Sequence, residues 1–284
     1  MFDRLSRSWD LVKASGSVLM QDQQLIVFPL ISSLATFAVA LCFILPAFGL
    51  GAFDGFTHGH GRVMSTGLYL LVFCFYIAQY FVIFFFNSAL VGAALVRLNG
   101  GTPTVGEGLR IASSKMGAIL GYALIAATVG MLLRAIQERV GFIGKIIVGL
   151  LGAGWTMATY LVVPVLVARD VGPVDAIGES ASLLKKTWGE NVIGQAGMGM
   201  AFGLIQFAVI AAAILLVVLA AMTKSWVLIV AVALVALTAV ILVALVHAAL
   251  TGIYSAALYR YASTGEGSGM FAVADLRSAF SGKP

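Results

Sequence analysis

Pro103–Gly121, PTVGEGLRIASSKMGAILG, and Pro173–Gly194, PVDAIGESASLLKKTWGENVIG, are two copies of one pattern. Each opens on a proline, passes through Gly-Glu and a mixed polar and apolar run, and reaches a glycine at the lip of a long apolar segment. Gly106, Glu107 and Gly117 keep the same mutual spacing as Gly178, Glu179 and Gly189, so the chain repeats a unit. In the second copy Val174, Ile177, Ala181, Leu184 and Trp188 recur at alternating three- and four-residue steps, with Asp175, Glu179, Ser182, Lys185 and Lys186 between them. That period predicts an amphipathic helix with a basic end and an indole suited to the headgroup region. Val105, Leu109, Ala112 and Met116 do the same in the first copy. The amino terminus shows the pattern without Gly-Glu, with Phe2, Leu5, Trp9 and Val12 on one face, and Met270, Val273, Leu276 and Phe280 predict a last short helix beyond the linker Thr264–Gly269.

The segments between these helices are apolar. Over 284 residues the chain is 61% hydrophobic and 10% charged, where soluble domains average about 25% charged. Apolar runs long enough to cross a bilayer, about 20 residues each, fall at Leu25–Leu50, Leu68–Val96, Met116–Leu133, Ile146–Ala168, Val192–Met222 and Val227–Tyr261. The expected fold is all-α, a polytopic membrane bundle of six transmembrane helices with amphipathic interfacial helices on the cytoplasmic side and a threefold internal repeat. The first run follows a charged amphipathic segment and exceeds the roughly 7–15 apolar residues of a signal core, so it is expected to stay in the protein. Cys42 and Cys74 fall inside predicted spans, as small apolar packing residues do.

Charge gives the expected orientation. With the amino terminus inside, Arg4, Arg7, Lys13, Arg97, Arg110, Lys115, Arg169, Lys185, Lys186, Arg260, Arg277 and Lys283 lie on the cytoplasmic side. Arg62, Arg134, Arg139, Lys145 and Lys224 are left outside. The excess predicts both termini on the cytoplasmic side. Arg134 to Lys145 goes against the trend with three positive charges; Arg134 and Glu138, four apart, are placed to pair. Gly100, Gly101 and Pro103, then Gly172 and Pro173, punctuate the chain into units of about 1–97, 98–169 and 170–262 within one transmembrane domain, 1–262, followed by a cytoplasmic tail, 263–284.

FFFNSALVGAAL in the second span, the GxxPTxGEGLR segment, ATVGMLLRAIQER, WTMATYLVVPVLV and SASLLKKTWGEN together resemble an uncharacterised bacterial six-span membrane family, a domain of unknown function. The layout of interfacial helix, Pro-bearing turn and span is more distantly similar to the membrane domain that accompanies some glycerophosphodiester phosphodiesterases. The opening SWDLVKASGSVLMQDQQLIVFPLI is faintly similar to CysZ-type sulfate permeases. None of these resemblances carries catalytic residues onto this chain.

Every Asp and Glu lies outside the predicted spans, where a proton- or sodium-coupled carrier commonly keeps an intramembrane carboxylate. Glu107 and Glu179 follow Gly near expected helix starts, where a carboxylate caps free N–H groups and meets the helix dipole. His247 is an ionisable residue well inside a span, with Thr251, Tyr254 and Ser255 along the same helix. The second span carries Tyr76, Gln79, Tyr80 and Asn87, with Ile83 on the face of Gln79 and Asn87; the fourth carries Trp155, Thr156, Thr159, Tyr160 and Pro164. Gln79, Asn87, Thr156, Tyr160 and His247 are the candidate lining of a polar path, and interhelical hydrogen bonding accounts for the same residues without a substrate. Lys185, Lys186 and Trp188 are the candidate surface for anionic lipid headgroups or a partner. Gly117 with Gly121, Gly199 with Gly203, and Gly149, Gly152 and Gly154 are expected close-packing positions. His58 and His60 form a His-Gly-His pair too sparse for a metal site, and no phosphate loop, zinc-protease motif or catalytic triad spacing is present.

The expectation is therefore a non-enzymatic bundle, without cofactor, metal or nucleic acid, through which a small solute or ion passes. The alternative is a structural scaffold that binds lipid, a second copy of itself or another membrane protein.

Overall fold

The computed structural model describes the backbone of residues 13–50, 66–186 and 188–265, and the side chains of these outside 186–201. The expected helix face at Phe2–Val12, the His58/His60 loop and the tail helix at Met270–Phe280 lie outside the described residues, as do the side chains of Lys186 and Trp188.

The chain is helical over residues 13–21 and then, past a short 3-10 turn at Gln23–Ile26, in α1 (Val27–Gly49), α2 (Thr66–Leu98), α3 (Val105–Ser114), α4 (Met116–Arg139), α5 (Phe142–Ala158), α6 (Val162–Ala168), α7 (Pro173–Lys186), α8 (Trp188–Met222) and α9 (Trp226–Thr264). Among the described residues, six stretches are long and apolar enough to cross a membrane: Gln23–Gly49, Thr66–Leu98, Met116–Arg139, Phe142–Ala168, Phe202–Met222 and Trp226–Thr264. Only 6–28% of each most apolar window is buried inside the protein, and Leu34, Phe37, Leu45, Leu150, Phe207 and Val235 point outward. Apolar surface costs about 25 cal/mol per Å² in water, so exposure on this scale belongs in lipid. The chain is an all-α, multi-span membrane protein.

Two compact units divide it: the described residues of Met1–Ile26, Ala94–Thr102 and Lys186–Pro284 form one, and Val27–Ala93 with Pro103–Lys185 the other. In the first, α8 and α9 pack along each other and α9 reaches the 23–26 turn. The buried part of α9 runs from Leu245 to Tyr259, around Ala249, Ile253 and Tyr254. The end of α2 is held by two cations, as orphan helix carbonyls favour. Arg260 donates to the Leu98 carbonyl, and Arg97 pairs with Asp22 at 2.9 Å and donates to Gln21 Oε1 at 2.6 Å. Gly100, at φ +85°, turns the chain out of α2, a conformation that favours glycine.

In the second unit α4 packs against both α5 and α6, the two halves of a span interrupted at residues 159–161. Pro164 has no N–H to return to the Tyr160 carbonyl. Ser180 of α7, itself fully buried, fills the break: its hydroxyl donates to the Ala158 carbonyl at 2.7 Å and accepts from the Leu161 N–H at 3.0 Å. Irregular backbone at membrane depth is tolerated where protein satisfies it in this way.

One face of α7 packs on protein. Ala176, Ser180, Leu183 and Leu184 are buried, whereas Val174 is exposed and Ile177 and Ala181 are half-buried. In lipid the large apolar side chains gain nothing by turning inward, and small residues take the helix contacts. The same rule operates in α3, where Gly108 and Ala112 are buried and Met116 is exposed and already part of α4. A Cβ on Gly108 would lie 2.7 Å from the Ala89 carbonyl oxygen and 2.6 Å from the Phe28 ring. Of the glycines expected to pack closely, Gly121 does so, against Pro173, and Gly152 touches Leu133 more loosely. Gly117, Gly149, Gly154 and Gly203 have open space beside them, and Gly199 falls where side chains are not described.

The helix–span junctions share a plan. Ser15, Gly108 and Ser180 are small, buried, and each six residues before the end of its helix at 21, Ser114 and Lys186. Asp22 and Lys115, the residues directly after the first two of these helices, pair across their hairpins with Arg97 at 2.9 Å and Asp170 at 2.9 Å. The charges are exchanged between the copies while the latch is kept.

The two glutamates of the repeat are not equivalent. Glu107 lies in the first turn of α3, its N–H bonded at 3.1 Å by the side chain of the N-cap Thr104, as in a capping box. Glu179 is one turn further into α7, because that helix starts early at Pro173, and it pairs with Arg169 at 2.9 Å instead of capping. The first turn of α7 carries Asp175.

Candidate functional site

The candidate path residues are placed as follows. Gln79 donates its amide to the Thr36 carbonyl of α1 at 3.0 Å, tying α1 to α2. Asn87 is half-buried, and Ile83, between them on the same face, is exposed. Thr156 is exposed and folds its hydroxyl onto the Gly152 carbonyl of its own helix at 2.9 Å. Tyr160 sits half-buried in the break between α5 and α6. Tyr122 of α4 meets α2: its ring lies 4.5 Å from that of Phe84. His247 belongs to the other unit, where its ring stacks on Phe202 of α8 at 4.6 Å, nearly parallel at 2°. Thr251 and Ser255 donate back to the carbonyls of His247 and Gly252 in their own helix.

On the expected lipid or partner surface, Lys185 is exposed at the end of α7. The base of this helix is held by charge: Lys115 donates to the Arg169 carbonyl at 3.0 Å as well as pairing with Asp170, and Arg169 pairs with Glu179.

A third cluster occupies the opposite end of α4. Arg134 donates Nε–H to Glu138 at 3.1 Å and Nη1–H to the Tyr76 hydroxyl of α2 at 3.0 Å. Beneath the guanidinium lies a cavity of about 160 Å³ lined by Tyr76, Tyr80, Ala127, Gly130, Met131 and Arg134. Tyr76 and Tyr80 stack at 6.3 Å, Tyr80 and Phe84 at 5.6 Å, so an aromatic ladder leads from the cavity to Tyr122. Sequence spacing gives the Arg134–Glu138 pair and the tyrosines separately. Their convergence joins positions 58 apart and has no local signal.

Residues 66–270, more than two thirds of the chain, match the family described as "Family of unknown function (DUF6159)", and the chain belongs to that family. No curated protein matches it, so the fainter likenesses to the phosphodiesterase membrane domain and to sulfate permeases gain no support.

Proposed function

We propose that this DUF6159 member is a non-enzymatic membrane scaffold of the bacterial inner membrane, with both termini cytoplasmic, whose α3 and α7 collar holds anionic lipid or a membrane partner. The observation that supports this reading is the commitment of the Gln79 amide to the Thr36 carbonyl of α1, which makes it a packing group, while Thr156 turns its hydroxyl back onto its own helix. The exposed Lys185 adds a cation at the membrane surface, with about 1 kcal/mol expected per such charge near anionic lipid. The test is titration of the detergent-solubilised protein with phosphatidylglycerol and, separately, phosphatidylcholine. K185Q/K186Q is expected to bind phosphatidylglycerol less tightly and phosphatidylcholine unchanged; equal affinity of wild type and variant for both removes the collar from the account.

A second reading, passage of a small solute or ion, draws on one feature. The fourth span is discontinuous at 159–161, and broken helices are a device of transporters. Proteoliposomes in which uptake changes on replacing Asn87 or His247 with leucine, without loss of folding, would favour it.

A further inference from the structure

We propose that the Arg134–Tyr76–Tyr80 cavity is a binding site for a phosphate group, presented by a phospholipid headgroup or by a small phosphomonoester. This site lies at the other end of α4 from the α3 and α7 collar and stands independently of the collar's role.

A guanidinium carries five N–H donors in a planar fork. One is engaged by Glu138 and one by Tyr76, which fixes the plane of the fork and leaves three donors. The Tyr80 hydroxyl lines the cavity and has no hydrogen-bond partner among the described residues. Gly130 lines the cavity beside it; a Cβ there would lie 3.5 Å from Tyr80 Oη, in van der Waals contact. A volume of about 160 Å³ exceeds several times the roughly 30 Å³ share of a water, which is room for a phosphate. A rigid fork with an adjacent hydroxyl is suited to bidentate phosphate binding.

Depth supports the lipid source. Arg134 stands five residues before the end of α4 at Arg139, about 7.5 Å along a helix. That reaches the upper end of the layer of roughly 5–7.5 Å on each side between the hydrocarbon core and the headgroup surface. The aromatic wall of Tyr76 and Tyr80 suits the same layer. Glu138 opposes an anion and so sets the affinity from the other side, while holding the guanidinium in place.

The test uses the full chain in detergent, with dimyristoyl phosphatidylglycerol as probe and retention followed by native mass spectrometry. R134Q is expected to weaken binding about tenfold or more, the loss of charge-assisted bonds, and Y80F by less. G130L, which fills the cavity and leaves Arg134 in place, is expected to weaken binding at least as much as R134Q, leaving what the collar retains, and covers the case in which R134Q folds poorly. E138Q is expected to tighten binding, because it removes a negative charge beside the phosphate and leaves the fork. Glycerol 3-phosphate is then added: displacement of the lipid assigns the site to free phosphomonoesters as well, and no displacement assigns it to the lipid. Unchanged affinity in R134Q and G130L, or a loss in E138Q equal to that in R134Q, overturns the proposal and leaves Arg134–Glu138 as a structural pair only.

Discussion

The Ser180 hydroxyl donates to the Ala158 carbonyl across 2.7 Å, so an amphipathic helix outside the spans completes the backbone bonding of a broken one. Ser180→Ala leaves that carbonyl and the Leu161 N–H without a partner in a buried site. The expected cost is about 2 kcal/mol, within the usual range for buried unsatisfied groups, read from denaturation of the detergent-solubilised protein. A loss below about 0.5 kcal/mol, the size of an ordinary surface change, would mean that Ser180 does not hold the break.

Gly108 is the corresponding position in α3, where the neighbouring span is continuous and glycine alone fits. Gly108→Ala is expected to destabilise by about 1–3 kcal/mol through overpacking against the Ala89 backbone. Gly117→Ala, with open space beside it, is expected to be neutral or slightly stabilising. Equal melting of the two variants would contradict the packing described for α3.

The two hairpin latches differ in environment. Asp22 and Arg97 are both mostly buried, at 17% and 21% side-chain exposure, whereas Asp170 is fully exposed. A double-mutant cycle on Asp22 and Arg97 is expected to give a coupling above the ~0.2–1 kcal/mol of exposed pairs. A cycle on Lys115 and Asp170 should give less. The reverse order would show that burial does not set the strength of these latches.

The proposed orientation rests on the Lys/Arg distribution; of the three cations between Arg134 and Lys145 that run against it, Arg134 has a carboxylate and a hydroxyl partner. A reporter fused in the His58–Met64 loop is expected to read as periplasmic, as is one in the turn at Gly141. A cytoplasmic signal from either would reverse the topology.

The spans were legible in the sequence because length and apolar content alone define them, and among the described residues all six coincide with or overlap the expected runs, the fifth within the helix Trp188–Met222. Which residues of α3 and α7 pack on protein was not. In water the apolar stripe marks the core, but beside lipid Val174 and Met116 turn outward and Gly108, Ala112, Ala176 and Ser180 turn inward. The role of Glu179 was misread for a related reason. Equal spacing to Gly178 suggested a cap, yet Pro173 starts the helix a turn earlier and leaves Glu179 to pair with Arg169. Gln79 was visible as a polar residue in a span, but its partner is a backbone carbonyl of another helix, Thr36, which no side-chain pattern marks.

The central claim is that polar residues within the spans hold helices together and do not line a water-filled path. It is tested most directly by single cysteines at positions 79 and 87 in a chain with Cys42 and Cys74 replaced, exposed in membranes to an impermeant maleimide from each side. The account predicts no labelling at either position from either side, with a cysteine at 141 labelled as the control. Labelling at both 79 and 87 would contradict it and establish an aqueous path along α2.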